Sequence, residues 1–196
     1  MKRREAVGAM AMAALTAAFK WTPAEAQRAA TLAREAMAAK TPFTPAFFTP
    51  HEWDTVRVLA DLVIPKDERS GSATDAGVPE YMDFMLNDRP DGQTPMRGGL
   101  AWLDNECYER FGKTFVAATP TEQTAVLDEI AWPKKARAEM SPGVAFFNMF
   151  RDMTASGFWT SKMGITDLKY QGNTFVPEWK GCPPEALQKL GVQYED

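Results

Sequence analysis

The chain has 196 residues, 45% of them hydrophobic and 24% charged, and a formal net charge of -4. That length and balance fit one globular domain with a tail. They argue against a nucleic-acid binder, which needs a clustered positive surface to displace counterions, and no apolar run reaches the roughly 18–20 residues that span a bilayer.

The N-terminus reads as an address. Lys2, Arg3 and Arg4 form a basic start, Ala6 to Phe19 is uncharged and mildly apolar, and Ala24-Glu25-Ala26 is a small-x-small cleavage pattern. This layout predicts an export signal over residues 1–26, and the adjacent Arg3 and Arg4 favour the twin-arginine route into the periplasm. Residues 27–48 form an N-terminal arm. It opens with a helix-prone, Ala-rich stretch and ends in "TPFTPAFFTP", whose prolines break regularity while Phe43, Phe47 and Phe48 supply contact surface.

Residues 49–156 predict a helical domain. Thr49-Pro50, Thr94-Pro95, Thr119-Pro120 and Ser141-Pro142 each precede a periodic stretch, and a hydroxyl N-cap followed by proline is a helix start. Glu52 and Glu122 stand three residues after their caps and complete capping boxes. Five helices follow: about Pro50 to Ile64, Pro79 to Leu86, Pro95 to Phe111, Pro120 to Ala131 and Pro142 to Ala155. Trp53, Val56, Ala60 and Val63 mark the apolar stripe of the first; Met96, Leu100, Leu103, Cys107 and Phe111 mark that of the third. The fold class is therefore all-α, a compact domain of about five helices.

Periodicity ends near Gly157. Residues 157–196 are rich in glycine, proline and aromatics, too aromatic for ordinary disorder, and are predicted to form an extended irregular tail that wraps a partner, with a short helix from Pro184 to Leu190. The chain also holds 11 Met and 6 Trp, residue types enriched at interfaces as well as in cores. The candidate partner surface comprises Phe47, Phe48, Phe158, Trp159, Met163, Tyr170, Phe175 and Trp179.

Motifs for chemistry are sparse. There is no G-x-G-x-x-G after a strand, no C-x-x-C-H, and His51 is the single histidine. The acids Asp67, Glu68 and Asp75 in the loop after Pro65 lack the spacing of a calcium loop and read as solvated. Asp104, Glu106 and Glu109 read as the wet face of the third helix. No catalytic, cofactor or metal residue is assigned. Cys107 and Cys182 could close a disulfide in an oxidising compartment; Cys107 on its apolar face could equally stay a buried thiol.

Two blocks carry a resemblance. "FFTPHEWDTVRVLADLVIPKDERSGSATDAGVPEYMDFML" and "GFWTSKMGITDLKYQGNTFVPEWKGCP" resemble the gluconate 2-dehydrogenase subunit 3 family, and particularly members paired with glucoside 3-dehydrogenases. The resemblance covers about residues 1–10 and 45–190. It implies a non-catalytic accessory subunit of a periplasmic sugar dehydrogenase. The catalytic partner would be a large subunit of the glucose-methanol-choline oxidoreductase type carrying FAD, with a cytochrome c as electron acceptor. The small subunit would supply the export signal and help the large one fold and mature in a heterodimer. The competing expectations are a stand-alone periplasmic helical binding module and a small hydrolase using paired carboxylates.

Overall fold

The computed structural model describes residues 22–39, 43–170, 172, 175, 177–178 and 181–194. These residues form eight α-helices, and no strand occurs among them. They are α1 Pro23–Ala38, α2 Pro50–Val63, α3 Val78–Asp88, α4 Gln93–Phe111, α5 Pro120–Ile130, α6 Ser141–Thr160, α7 Lys162–Asp167 and α8 Pro184–Leu190, with 3₁₀ turns at Pro90–Gly92 and Ala138–Met140. The all-α expectation holds.

Capping chemistry sets three of the starts. Thr22, Thr49 and Thr119 each accept a hydrogen bond from the backbone N–H of a glutamate three residues on, and that glutamate's carboxylate accepts one from the backbone N–H of the cap. The box at Thr22 lies inside the stretch read as a leader. Thr94 and Ser141 do not cap: α4 begins from Gly92 and α6 from Met140, each continuing out of a 3₁₀ turn with no side-chain cap.

Helix α6 is the axis of the domain. It packs against α1, α2, α3, α4, α5 and α7. Phe146, Phe150, Met153 and Phe158 from α6 join Leu59, Met82, Leu86, Met96, Leu103 and Ile130 in one continuous core. Two glycines let its neighbours come close: a Cβ on Gly99 would fall 1.8 Å from the Phe146 ring, and one on Gly143 would fall 2.2 Å from Trp102.

The same device explains why α6 runs past Ala155. The Tyr81 ring lies against Gly157, where a Cβ would sit 2.8 Å from it, so this glycine closes the α3–α6 contact instead of ending the helix. Ser161 then caps α7, accepting from the Gly164 N–H at 3.0 Å. Regular structure thus extends beyond the point where sequence periodicity stops. Helix α8 buries no side chain.

The arm 43–49 is fastened from below by one carboxylate. Asp83, fully buried on α3, accepts from the N–H groups of Ala46 at 2.8 Å, Phe47 at 2.9 Å and Phe48 at 3.1 Å. Arg97 closes the other side, donating to the Phe47 carbonyl at 2.8 Å and lying 4.7 Å over the Phe47 ring. Phe47 and Phe48 are therefore core residues, 8% and 5% exposed.

Candidate functional site

The acids were the only candidates for chemistry, and the structure gives most of them scaffold work. Asp61 accepts from the Thr74 N–H at 2.8 Å and its hydroxyl at 2.7 Å. Asp67 accepts from the N–H groups of Arg69 and Ser70, both at 2.8 Å, and these bonds hold its carboxyl below the usual range. Asp75 accepts from the Ser72 N–H at 3.1 Å. Asp104 accepts from the Phe115 N–H at 2.9 Å and meets His51 Nε2 at 2.6 Å. A carboxylate that collects backbone N–H groups in this way is stabilised as an anion and fixes a loop. Glu106 and Glu129 converge on Arg110, with Arg137 joining Glu129 at 2.7 Å. Among the described residues, no three His, Cys, Asp or Glu side chains gather as a metal-ligand set.

Glu80 is the exception. It is buried in the first turn of α3, and its Oε2 has no hydrogen-bond partner. Burial pushes its pKa up, because the charged form loses its water. Nothing in the chain's periodicity marks this position.

The loop between α2 and α3 is an ordered strap. Ala73 N–H donates to the Ile64 carbonyl at 2.9 Å and Val78 N–H to the Ala73 carbonyl at 3.0 Å. Gly77 takes φ +79°, the left-handed turn that lets α3 start. With its backbone fixed, the strap presents Arg69, Ser70, Asp75 and Ala76 along one wall of an open groove of about 830 Å³. The C-terminal turns of α1 supply Arg34, Met37 and Ala38, and the α7 region supplies Ser161, Lys162, Met163 and Lys169. Three segments distant in sequence thus converge on one cavity. Arg34 Nη2 donates to the Thr160 carbonyl at 3.3 Å, and Arg69 Nη2 pairs with Asp167 at 2.6 Å. These two bonds tie the walls to each other.

The predicted interface residues divide. Phe158 is 1% exposed and belongs to the core, as do Phe47 and Phe48; packing against α3, α6 and their neighbours removes all three from any outer surface. Met163 is half-buried and floors the groove. Trp159, Tyr170 and Phe175 stand 39%, 63% and 86% exposed. Met37 and Leu168, not singled out by sequence, are exposed as well. Trp179, Arg3 and Arg4 lie outside the described residues. Ala24 and Ala26 sit in the first turn of α1.

Of the two alternatives for the cysteines, the structure has the unbridged one: Cys107 and Cys182 are free thiols. Cys107 faces the interior of the bundle, and burial raises its pKa to about 11. Cys182 is exposed, and its N–H donates to the Tyr194 hydroxyl at 2.6 Å. The apolar face that made a buried thiol the alternative for Cys107 is the face that packs into the core.

Comparison with known proteins gives one result. The family model for gluconate 2-dehydrogenase subunit 3 matches residues 50–177, well over half of the chain. No significant match is found among curated proteins or among solved structures. The matched span begins at the first residue of α2 and runs through α7 into the tail, taking in the strap and two of the three groove walls.

Proposed function

Because the chain belongs to the gluconate 2-dehydrogenase subunit 3 family, we propose that it is the non-catalytic small subunit of a periplasmic dehydrogenase whose larger subunit carries FAD and oxidises a sugar or sugar acid. Family membership makes it an accessory subunit associated with a larger dehydrogenase subunit. The finer assignment to enzymes of the glucoside 3-dehydrogenase kind, and a cytochrome c as electron acceptor, extend that reading.

The observation that carries the proposal is the family match from α2 through α7. Two structural facts support it. Most of the acids that might have formed a reactive pair are occupied by backbone N–H groups or arginines, as described above. Exposed Trp159, Tyr170 and Phe175 lie toward the C-terminal end of the match and offer aromatic surface that a partner would cover. An obligate interface of this sort buries on the order of 2,000 Å² or more in total.

The basic start at Lys2, Arg3 and Arg4 supports a further role, carrying the folded pair through the twin-arginine route. In this proposal the larger subunit has no signal of its own and travels with this chain.

Co-expression with the large subunit from the same organism tests the reading. A tagged form of this chain should recover a yellow complex with flavin absorbance and dehydrogenase activity, and this chain alone should be colourless and inactive. Full activity of the purified single chain would overturn the assignment. Replacing Arg3 and Arg4 with lysine should leave both subunits in the cytoplasm; flavoprotein reaching the periplasm regardless would remove the export role.

A further inference from the structure

The groove between α1, the strap and α7 has a charge opposite to that of the molecule. The chain as a whole carries -4. Four cations, Arg34, Arg69, Lys162 and Lys169, stand around this one groove, against two acids, Asp75 and Asp167. Asp167 is already paired with Arg69 at 2.6 Å, and Asp75 is turned onto the Ser72 N–H. Lys162 and Lys169 make no ion pair among the described residues. The floor between the cations is apolar, with Met37 and Met163 as its largest side chains. Methionine adapts its shape to a guest better than a branched side chain does.

Lys169 also holds an unusual backbone conformation. It is the one described non-glycine residue with positive φ, at 53°. The helix ends at Gly112 and Gly191 use glycine for the same left-handed geometry, which avoids a cost of roughly 1–2 kcal/mol for a residue with a Cβ.

We infer that this groove docks an acidic segment of the large dehydrogenase subunit, with an apolar side chain seated on Met37 and Met163 and flanking carboxylates paired to Lys162 and Lys169. The inference rests on the accessory-subunit reading and specifies where its contact lies. Of the chain's own segments, the C-terminal Glu195-Asp196 pair is the acidic competitor for the groove, and crosslinking separates it from the large subunit; the other two flanking stretches complement it poorly. Residues 171–180 contain one acid and one base, and residues 1–21 contain four bases and one acid. The two-sided fastening by Arg34 and Arg69 means that the site is built before the guest arrives, which lowers the ordering cost of binding.

The test measures affinity of the full chain for the purified large subunit as a function of salt. The double reversal Lys162→Glu with Lys169→Glu should raise Kd by about tenfold or more and flatten the salt dependence, because rim charges steer and orient the encounter. An equal reversal at Lys134 and Lys135, remote in sequence from the groove residues, should change Kd by no more than about twofold if the effect is local. Lys169→Gly should keep or raise Tm and still weaken binding, an opposition that a purely structural lysine would not show. A photo-crosslinking residue at Ala38 should map to an acidic stretch of the large subunit. Crosslinks to residues 181–196, to a second copy of this chain or to nothing would overturn the groove assignment. So would unchanged binding by the double reversal in a complex that still forms. Failure of the unaltered chain to bind the large subunit at all would instead sink the accessory-subunit reading.

Discussion

Asp83 Oδ1 accepts the Phe47 N–H at 2.9 Å and the Phe48 N–H at 3.1 Å, so a single carboxylate on α3 anchors the arm that leads into α2. Asp83→Ala leaves buried N–H groups without a partner. Unpaired buried donors cost about 1–3 kcal/mol each before any relaxation, and a total loss of roughly 3 kcal/mol is expected in denaturant unfolding. Asp83→Asn, which keeps one oxygen, should lose less. A loss below about 1 kcal/mol for Asp83→Ala would show that water replaces the carboxylate.

Adjacent glycines on α4 should respond in opposite directions. A Cβ on Gly99 would collide with the Phe146 ring, whereas one on Gly98 meets nothing within 4 Å. Gly99→Ala should destabilise by about 1–3 kcal/mol through overpacking. Gly98→Ala, exposed in a helix interior, should stabilise by up to about 1 kcal/mol. Thermal melts of the two single variants decide it.

Acid should weaken the fold in a defined window. The Thr119 N–H, then Lys113 and the Thr119 hydroxyl, hold Glu122 at about 2, and Arg110 followed by Arg137 holds Glu129 at about 2. The ordinary value is 4.5, so below it the unfolded chain binds more protons than the folded one. This stabilisation is complete above 4.5 and is lost as pH falls toward 2. Glu129→Gln should flatten the acid limb of a Tm-versus-pH curve.

Glu80 acts in the other sense. Burial raises its pKa, so the folded state holds the proton more tightly and stability declines as pH rises through 4.5 and above. Glu80→Gln should raise Tm at neutral pH and have little effect at low pH. A lower Tm at pH 7 would mean that the ionised carboxylate has a partner after all.

Thiol chemistry should find one reactive cysteine. With Cys182 exposed and Cys107 buried, an aromatic disulfide reagent should titrate one thiol in the native protein and two after denaturation. A reductant should leave Tm unchanged. A Tm drop on reduction would restore the bridge.

The helix start at Thr22 predicts a difference between two N-termini. A chain beginning at Gln27 lacks the capping box and the Glu25–Arg89 ion pair at 2.5 Å. It should be less stable than one beginning at Thr22 by about 1 kcal/mol from the cap alone. Equal melting temperatures would show that α1 frays in solution.

Much of the helical body was legible because its signals are local. Thr49 and Thr119 announce α2 and α5 through bonds spanning three residues, and the stripe from Met96 to Phe111 predicts the buried face of α4. Thr94-Pro95 carries the same letters and caps nothing, because the preceding 3₁₀ turn had already begun the helix. Gly157 looked like a terminator because its need for a close Tyr81 is invisible along the chain. Phe47, Phe48 and Phe158 looked like partner surface because composition shows that aromatics are plentiful and not which side of a helix receives them.

The amino-acid order by itself determined the helical class, the main caps and core stripes, and the family, since each depends on neighbours within a turn or on whole-chain pattern. Only the tertiary structure decided which acids are scaffold, which thiol is shut away and where four cations meet. Those outcomes depend on side chains tens of residues apart being brought within a few ångströms, and that distance is set by how α6 packs against the helices around it.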